Sequence, residues 1–278
     1  MQTPPPNRPP ARFKPVMPAQ AGVNVLAVSG LVFLTLPLIG LLIRGVGNID
    51  GLNLIESGIL QALGLSLYTT LITCLLIALI GTPLAYLLAR RQFRFKRVVD
   101  VLIELPVVLP PAVAGLALLV TYGRRGLLGG ALLVAGVSLP FTVNAVIMAQ
   151  AFVAAPFFIR AAQIGFQAVP AEIEQAARVD GAAGWALFRH ITLPLSFPAL
   201  AAGLILSWAR ALGEFGATIL FAGSLQGRTQ TMPLFIYNVI ERDLNAAVWA
   251  GLLLIALAMA ALLISNALAR RGAGAYAD

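Results

Sequence analysis

The strongest constraint on this chain is where its charges are missing. Clusters of Asp, Glu, Lys and Arg are separated by six charge-free runs, 15–43, 57–89, 105–123, 126–159, 190–209 and 244–269, with His190 taken as neutral. A helix on a soluble protein interleaves charged and apolar residues, whereas a helix crossing a bilayer needs about 20 predominantly apolar ones. Each run can hold one such span. Only 11% of the 278 residues are charged, against about 25% in soluble domains, and a soluble fold is excluded. Lipid forces the backbone to satisfy its own hydrogen bonds, leaving helices or closed barrels. No ten-residue segments of period-two alternation occur, so the expected fold is an all-α integral membrane protein with six transmembrane helices.

The run 126–159 is long enough to be read as two short spans, and the placement of basic residues decides. With six spans and a cytoplasmic N-terminus, 13 Lys and Arg fall inside (Arg8, Arg12, Lys14, Arg90, Arg91, Arg94, Lys96, Arg97, Arg160, Arg178, Arg189, Arg270, Arg271) and five outside (Arg44, Arg124, Arg125, Arg228, Arg242). Splitting the run gives 10 against 8. The positive-inside bias therefore predicts six spans with both termini cytoplasmic. The fourth span is placed near 139–160, and the Gly-rich 126–137 is read as a re-entrant or interfacial piece on the outer side. The expected organisation is a disordered Pro-rich tail over 1–22, a first span and outer loop over 23–57, a core over 58–270 and a short tail over 271–278.

Several classes drop out. The first 18 residues hold seven prolines and three basic residues, a composition unable to bury a core. The apolar run that follows is too long for a signal peptide and lacks a cleavage site. Cys74 is the single cysteine, so no intrachain disulfide forms, and mid-span it reads as a small packing residue. The net charge of +8 sits mostly beside the spans, where topology and anionic lipid headgroups account for it; nucleic acid is not an expected partner. No GxxxxGK[ST], HExxH or CxxC pattern occurs and His190 is the only histidine, so neither an enzyme nor a cofactor or metal site is expected. Energy for any transport must come from a partner or an ion gradient.

One polar segment, 160–194, is long enough to be structured. Pro170 suits a first helical turn, and Glu172 and Glu174 complement the positive end of a helix. Ile173, Ala176, Ala177 and Asp180 follow at helical spacing, and Gly181 can take the left-handed conformation that ends the helix. A second short helix through Trp185 and Phe188 runs towards Pro194. The pattern is a helix-turn-helix on the cytoplasmic face.

Gln175-Ala176-Ala177-x-x-x-Gly181, nine residues, then Ile191-x-Leu193-Pro194 resembles the EAA loop of ABC-transporter permeases that work with periplasmic binding proteins. In that family the loop is a coupling helix that docks on a separate ATPase, so the resemblance implies that Glu174, Gln175, Ala176, Ala177, Gly181, Ile191, Leu193 and Pro194 carry ATPase coupling. Gln175 stands where the family usually has Glu, with Glu174 just before it. Ser66-Leu67-Tyr68-Thr69-Thr70, Gly81 to Arg90, Leu105 to Gly115, Gly123 to Gly129, Arg210 to Thr218 and Gly227 to Leu234 are similar to permeases for tetrahedral oxyanions. Gly213-Glu214-Phe215-Gly216-Ala217-Thr218 and Gly227-Arg228-Thr229-Gln230-Thr231 resemble the molybdate branch more than the sulfate branch. The resemblance implies a non-enzymatic inner-membrane subunit, an ABC ATPase partner, an oxyanion-binding protein and a homodimer with a pore between subunits. Sulfate or tungstate transport of the same type is the alternative; an ion-coupled secondary transporter would leave 174–194 unexplained.

Arg210 and Glu214, four apart, are expected on one face of the fifth span, where a charge costs about 2.5–3.5 kcal/mol on insertion scales. Two readings stand side by side: part of an anion path or gate, with Gly213 and Gly216 allowing close helix approach at a dimer axis, or a buried structural ion pair. Pro106, Pro110 and Pro111 are expected to kink the third span. The outer loop 223–243 is either a binding-protein contact or a solvated loop.

Overall fold

A computed structural model describes residues 17–47 and 58–274, with side chains over 22–47 and 58–268. Of the expected disordered tail over 1–22, residues 1–16 lie outside the described residues, as do 48–57 and 275–278, whereas 17–22 are already helical. The chain divides into a unit ending at Gly47 and a larger one from Asn48 onward. The first contains α1 (Met17–Val46). Within it the hydroxyls of Ser29 and Thr35 donate to the carbonyls of Leu26 and Leu31, both at 2.9 Å, which satisfies them without leaving the helix.

Helices are the regular elements among the described residues of the larger unit, and their order follows the apolar runs: α2 (Ile59–Arg90), α3 (Lys96–Val108), α4 (Pro111–Tyr122), α5 (Gly129–Val134), α6 (Val143–Ala168), α7 (Ala171–Val179), α8 (Gly184–Leu187), a π-helical turn (Phe188–Thr192), α9 (Leu193–Leu212), α10 (Gly216–Phe221), α11 (Met232–Val239) and α12 (Leu244–Gly274). The centre is α6, packed against α2 and α9, with α12 on the far side of α9. Ile77 and Leu88 of α2, Phe158 and Phe166 of α6, and Leu200 of α9 meet in the main core cluster. Small residues permit the closest contact: a Cβ on Gly165 would stand 2.6 Å from the Cβ of Ala199. Helices in lipid gain little from apolar burial and associate through such close packing.

Polar side chains reinforce it. Ser66, Thr69, Thr70 and Thr73 form a fully buried stripe on α2. The Thr73 hydroxyl lies 3.1 Å from Gln150 Oε1 of α6, and Trp208 Nε1 of α9 donates to Thr70 Oγ1 at 3.0 Å. Each interhelical bond of this kind contributes about 0.6 kcal/mol on average.

Five helices are long and apolar enough to cross a membrane, and α3 with α4 makes a sixth if that pair is one span, although its two parts are bent by 115°. The third span therefore departs from the kinked helix expected over 105–123. Leu109 and Pro110 are extended, because Pro110 disfavours a helical conformation at the residue before it and neither Pro110 nor Pro111 can donate to the ladder. The 12 residues of α4 rise only about 18 Å, too short to span alone. The fourth span also differs: it starts at Val143, where Thr142 Oγ1 accepts from the Ala145 amide at 3.3 Å, and runs past Arg160 to Ala168. Arg160 does not end it, because its charge is met by Asp100 at 3.0 Å and Glu104 at 2.6 Å, both on α3. The Gly-rich stretch contains only the six-residue α5.

Candidate functional site

Two places in the larger unit bring the singled-out residues together. The first is the segment around α7. Val169 is extended, Pro170 caps the helix, and Glu172 and Glu174 occupy its first turn. At the other end Gly181 takes φ +93°, its amide donates to the Arg178 carbonyl at 3.1 Å, and the Ala182 amide reaches the Ala177 carbonyl at 2.9 Å. That pair of bonds is a Schellman termination, which needs a left-handed residue at the position of Gly181. The chain then re-enters helix at Gly184 and continues to Leu212, so the second arm of the helix-turn-helix runs straight into the fifth span. Pro194 cannot donate to the His190 carbonyl, and just before it the Leu193 amide bonds to Phe188, five residues back. A π turn is how a helix absorbs such a defect.

Glu174 sits at the centre of this segment, with its side chain 7% exposed. Its Oε1 accepts from Arg90 Nη2 at 2.6 Å and from the Thr192 hydroxyl at 2.8 Å, while Oε2 lies 3.8 Å from Arg178 Nη2. Among the residues expected to carry coupling, Glu174 therefore faces inward. Gln175, Ala176, Gly181 and Pro194 are exposed, and Ala177, Ile191 and Leu193 are half-buried. Behind them Tyr86, Phe166 and Phe188 form an aromatic cluster, with Tyr86 and Phe188 edge-on at 5.0 Å, and Trp185 stacks on Phe188 at 5.4 Å. Val179 and Trp185 remain 87% and 68% exposed. Arg90 and Thr192 were not foreseen as partners of Glu174. Arg90 reads in sequence only as a basic residue closing a span, and Thr192 lies inside the Ile-x-Leu-Pro spacing without being one of its marked positions.

The second place is the break after α9. The helix ends at Leu212, Gly213 caps it, and α10 starts at Gly216. Glu214 therefore lies in the break and not on a face of the fifth span. Arg210 Nη1 meets Glu214 Oε2 at 2.8 Å, and Glu214 Oε1 accepts from the Ala217 amide at 2.8 Å, capping α10. Glu214 is 1% exposed and the Arg210 side chain 30%. Both carboxylate oxygens are thus engaged within the chain, the geometry of a structural brace, whereas Arg210 keeps part of its surface free. A Cβ on Gly216 would overlap Pro111, so the α3–α4 break and the α9–α10 break are packed against each other. Pro106 lies inside α3, away from that junction. Gly213 is exposed, and among the described residues a Cβ there would come within 4 Å only of the Ala209 carbonyl in its own helix.

The loop 223–243, expected on the outer side, is hydrogen-bonded to itself and to α2. The amides of Arg228, Thr229 and Gln230 converge on the Leu225 carbonyl at 2.8–3.0 Å, Thr229 is fully buried, and Ser66 Oγ accepts from the Met232 amide at 2.8 Å. α11 then buries Leu234 and Phe235 against α12 and α2. Among the described residues no group of three or more His, Cys, Asp or Glu could hold a metal ion.

The chain is 40% identical over 236 residues to the molybdenum transport system permease protein ModB of Mycobacterium tuberculosis, covering 85% of this chain and 89% of that one. It is 41% identical over 213 residues to ModB of Escherichia coli K12, covering 76% and 93%. To the molybdate/tungstate transport system permease protein WtpB of Thermococcus kodakarensis it is 34% identical over 194 residues, covering 69% and 73%. Among solved structures, a chain of the bacterial alginate ABC transporter in complex with alginate pentasaccharide-bound periplasmic protein superposes with a TM-score of 0.69 at 19% identity, covering 91% of this chain and 94% of that one. That likeness is one of fold. The family described as binding-protein-dependent transport system inner membrane component matches residues 81–273, a stretch that takes in the α7 segment and the Arg210–Glu214 break, and the chain belongs to that family.

Proposed function

We propose that this chain is the membrane-spanning permease subunit of an ATP-driven importer of a tetrahedral oxyanion, molybdate, and that it carries no nucleotide site of its own. It works as a homodimer with a separate ABC ATPase and receives cargo from an oxyanion-binding protein outside the membrane. Both termini and the α7 segment face the cytoplasm. The observation that carries the reading is α7 itself. Its inner side is clamped to α2 and the π turn through Glu174, while its Gln175, Ala176 and Val179, with Trp185 of the following α8, stay uncovered. A short helix held rigidly from behind and bare in front is suited to pass a partner's motion to the spans. Molybdate as cargo is supported by the names of the Mycobacterium and Escherichia relatives, and tungstate, from the Thermococcus relative, is the second reading. Arg210, with its partly exposed side chain, is the candidate contact for a passing anion, and Glu214 positions it.

The test is uptake of radiolabelled molybdate into vesicles holding the permease with its cognate ATPase and binding protein. Uptake is expected only with hydrolysable ATP and all three components, and Gly181→Pro should abolish it while ATP hydrolysis persists. Uptake by the permease alone would overturn the reading in favour of an ion-coupled transporter.

A further inference from the structure

A cavity of about 530 Å³ opens between the end of α2 and α7, lined by Pro83, Tyr86, Arg90, Arg91, Glu174 and Arg178 among others. Three arginines and one glutamate line it, and the carboxylate is already committed. Its Oε1 is taken by Arg90 Nη2 and Thr192, and Arg178 Nη2 stands 3.8 Å from Oε2, beyond hydrogen-bond distance. Arg90 is spent on that clamp, and its Nε is buried away from the cavity. Arg91 forms no ion pair among the described residues. Cationic side chains without a close counter-charge are left free to take an anion.

We infer that this cavity is a binding site for a tetrahedral oxyanion, held by the guanidinium groups of Arg91 and Arg178 beside the Arg90–Glu174 clamp. Guanidinium forks match phosphate-like oxygens in pairs. A planar carboxylate places its two oxygens in one plane and satisfies one fork, whereas four tetrahedral oxygens can meet forks arriving from both α2 and α7. The excess of two positive charges favours a multiply charged anion over chloride. Such an anion has two sources: a free oxyanion in the aqueous phase, or the phosphate of an anionic lipid headgroup, since arginines closing a span lie at headgroup level. Either would share its guanidinium groups with Glu174, so occupancy bears on the clamp that holds α7.

The experiment uses the assembled transporter, without ATP or binding protein, so that its result is independent of whether the complex moves molybdate. In one arm, binding of radiolabelled inorganic phosphate to the detergent-solubilised complex is measured by equilibrium dialysis. In the other, native mass spectrometry counts phosphatidylglycerol retained after extraction from vesicles of phosphatidylglycerol and phosphatidylcholine. Saturable phosphate binding that weakens about tenfold or more in Arg91→Gln/Arg178→Gln, the order expected from losing charge-assisted bonds, supports a free-anion site. Phosphatidylglycerol retained by the natural chain and lost from the same variant supports a headgroup site. Absence of both ligands, or binding indifferent to the substitutions, overturns the inference. Arg91→Lys/Arg178→Lys keeps the charge and loses the forks, and weakened binding in that variant is expected even where the glutamine form assembles poorly.

Discussion

Arg90 Nη2 donates to Glu174 Oε1 at 2.6 Å, joining the last residue of α2 to the first turn of α7 across a sequence separation of 84. Because Thr192 donates to the same oxygen at 2.8 Å, one carboxylate ties together the second span, α7 and the π turn that leads into the fifth span. A displacement of α7 must then carry both spans with it or break a charge-assisted bond, which costs about 1.5–3 kcal/mol. Glu174→Gln removes the charge and keeps an acceptor. Reconstituted with its partners, this variant is expected to hydrolyse ATP while molybdate uptake falls about tenfold or more, and equal uptake would show that α7 transmits motion some other way.

Gly181 tests the turn separately from the clamp. Its φ of +93° is strained for any L side chain, yet no atom lies within 4 Å of where a Cβ would stand. Gly181→Ala should therefore cost only the conformational term, about 1–2 kcal/mol. Gly181→Pro fails on φ and also deletes the amide that reaches Arg178. Uptake should be reduced in the first and lost in the second; the reverse order would rule out the Schellman termination as the working feature.

The close contact of α6 with α9 gives a stability prediction. Gly165→Val places branched carbons where Ala199 already lies and should cost about 1–3 kcal/mol by forcing the helices apart. Gly64→Ala on α2 meets nothing within 4 Å and should be neutral or slightly stabilising, since alanine is the better helix former. Thermal unfolding of the purified chain in detergent compares the two.

Charge spacing shows how far sequence reaches for this molecule and where it fails. Within the run 57–89 the chain forms one unbroken helix from Ile59, and Gly181 takes the left-handed turn its pattern requires, because both depend on residues close in sequence. Arg160 misled, since a charge was read as the end of a span. Its partners Asp100 and Glu104 lie on another helix, and only the fold brings them within 3.0 Å. Glu214 misled for a related reason: four-residue spacing from Arg210 implies a shared helical face, but Gly213 ends the helix and the ion pair forms across the break. The buried stripe of Ser66, Thr69, Thr70 and Thr73 is visible in sequence only as hydroxyl residues within an apolar run; what makes it structural is Gln150 and Trp208 opposite.

The Arg160 cluster predicts a local opening. No α3 residue is fully buried, and α3 leans on α6 through Val99 and Ile103 together with the two ion pairs of Arg160. Arg160→Gln should leave α6 folded, because its core residues are untouched, while hydrogen exchange over 96–108 rises. Unchanged exchange there would mean that Val99 and Ile103 suffice to hold α3.

Whether Glu214 braces the break or serves the anion directly is separable by a double-substitution cycle. Arg210→Ala leaves the Glu214 carboxylate 1% exposed with only the Ala217 amide as partner, and stranding one member of a buried pair costs about 3–5 kcal/mol. Glu214→Gln leaves Arg210 its partial exposure and keeps an acceptor for the Ala217 amide, so it should cost less. In the double variant Arg210→Ala/Glu214→Gln no charge is stranded, and stability should recover towards that of Glu214→Gln alone, a non-additive outcome characteristic of contacting residues. Transport should not recover with it, because Arg210 is the member whose side chain keeps free surface. Recovery of stability without recovery of molybdate uptake assigns the anion contact to Arg210 and the brace to Glu214; recovery of both would make the pair purely structural.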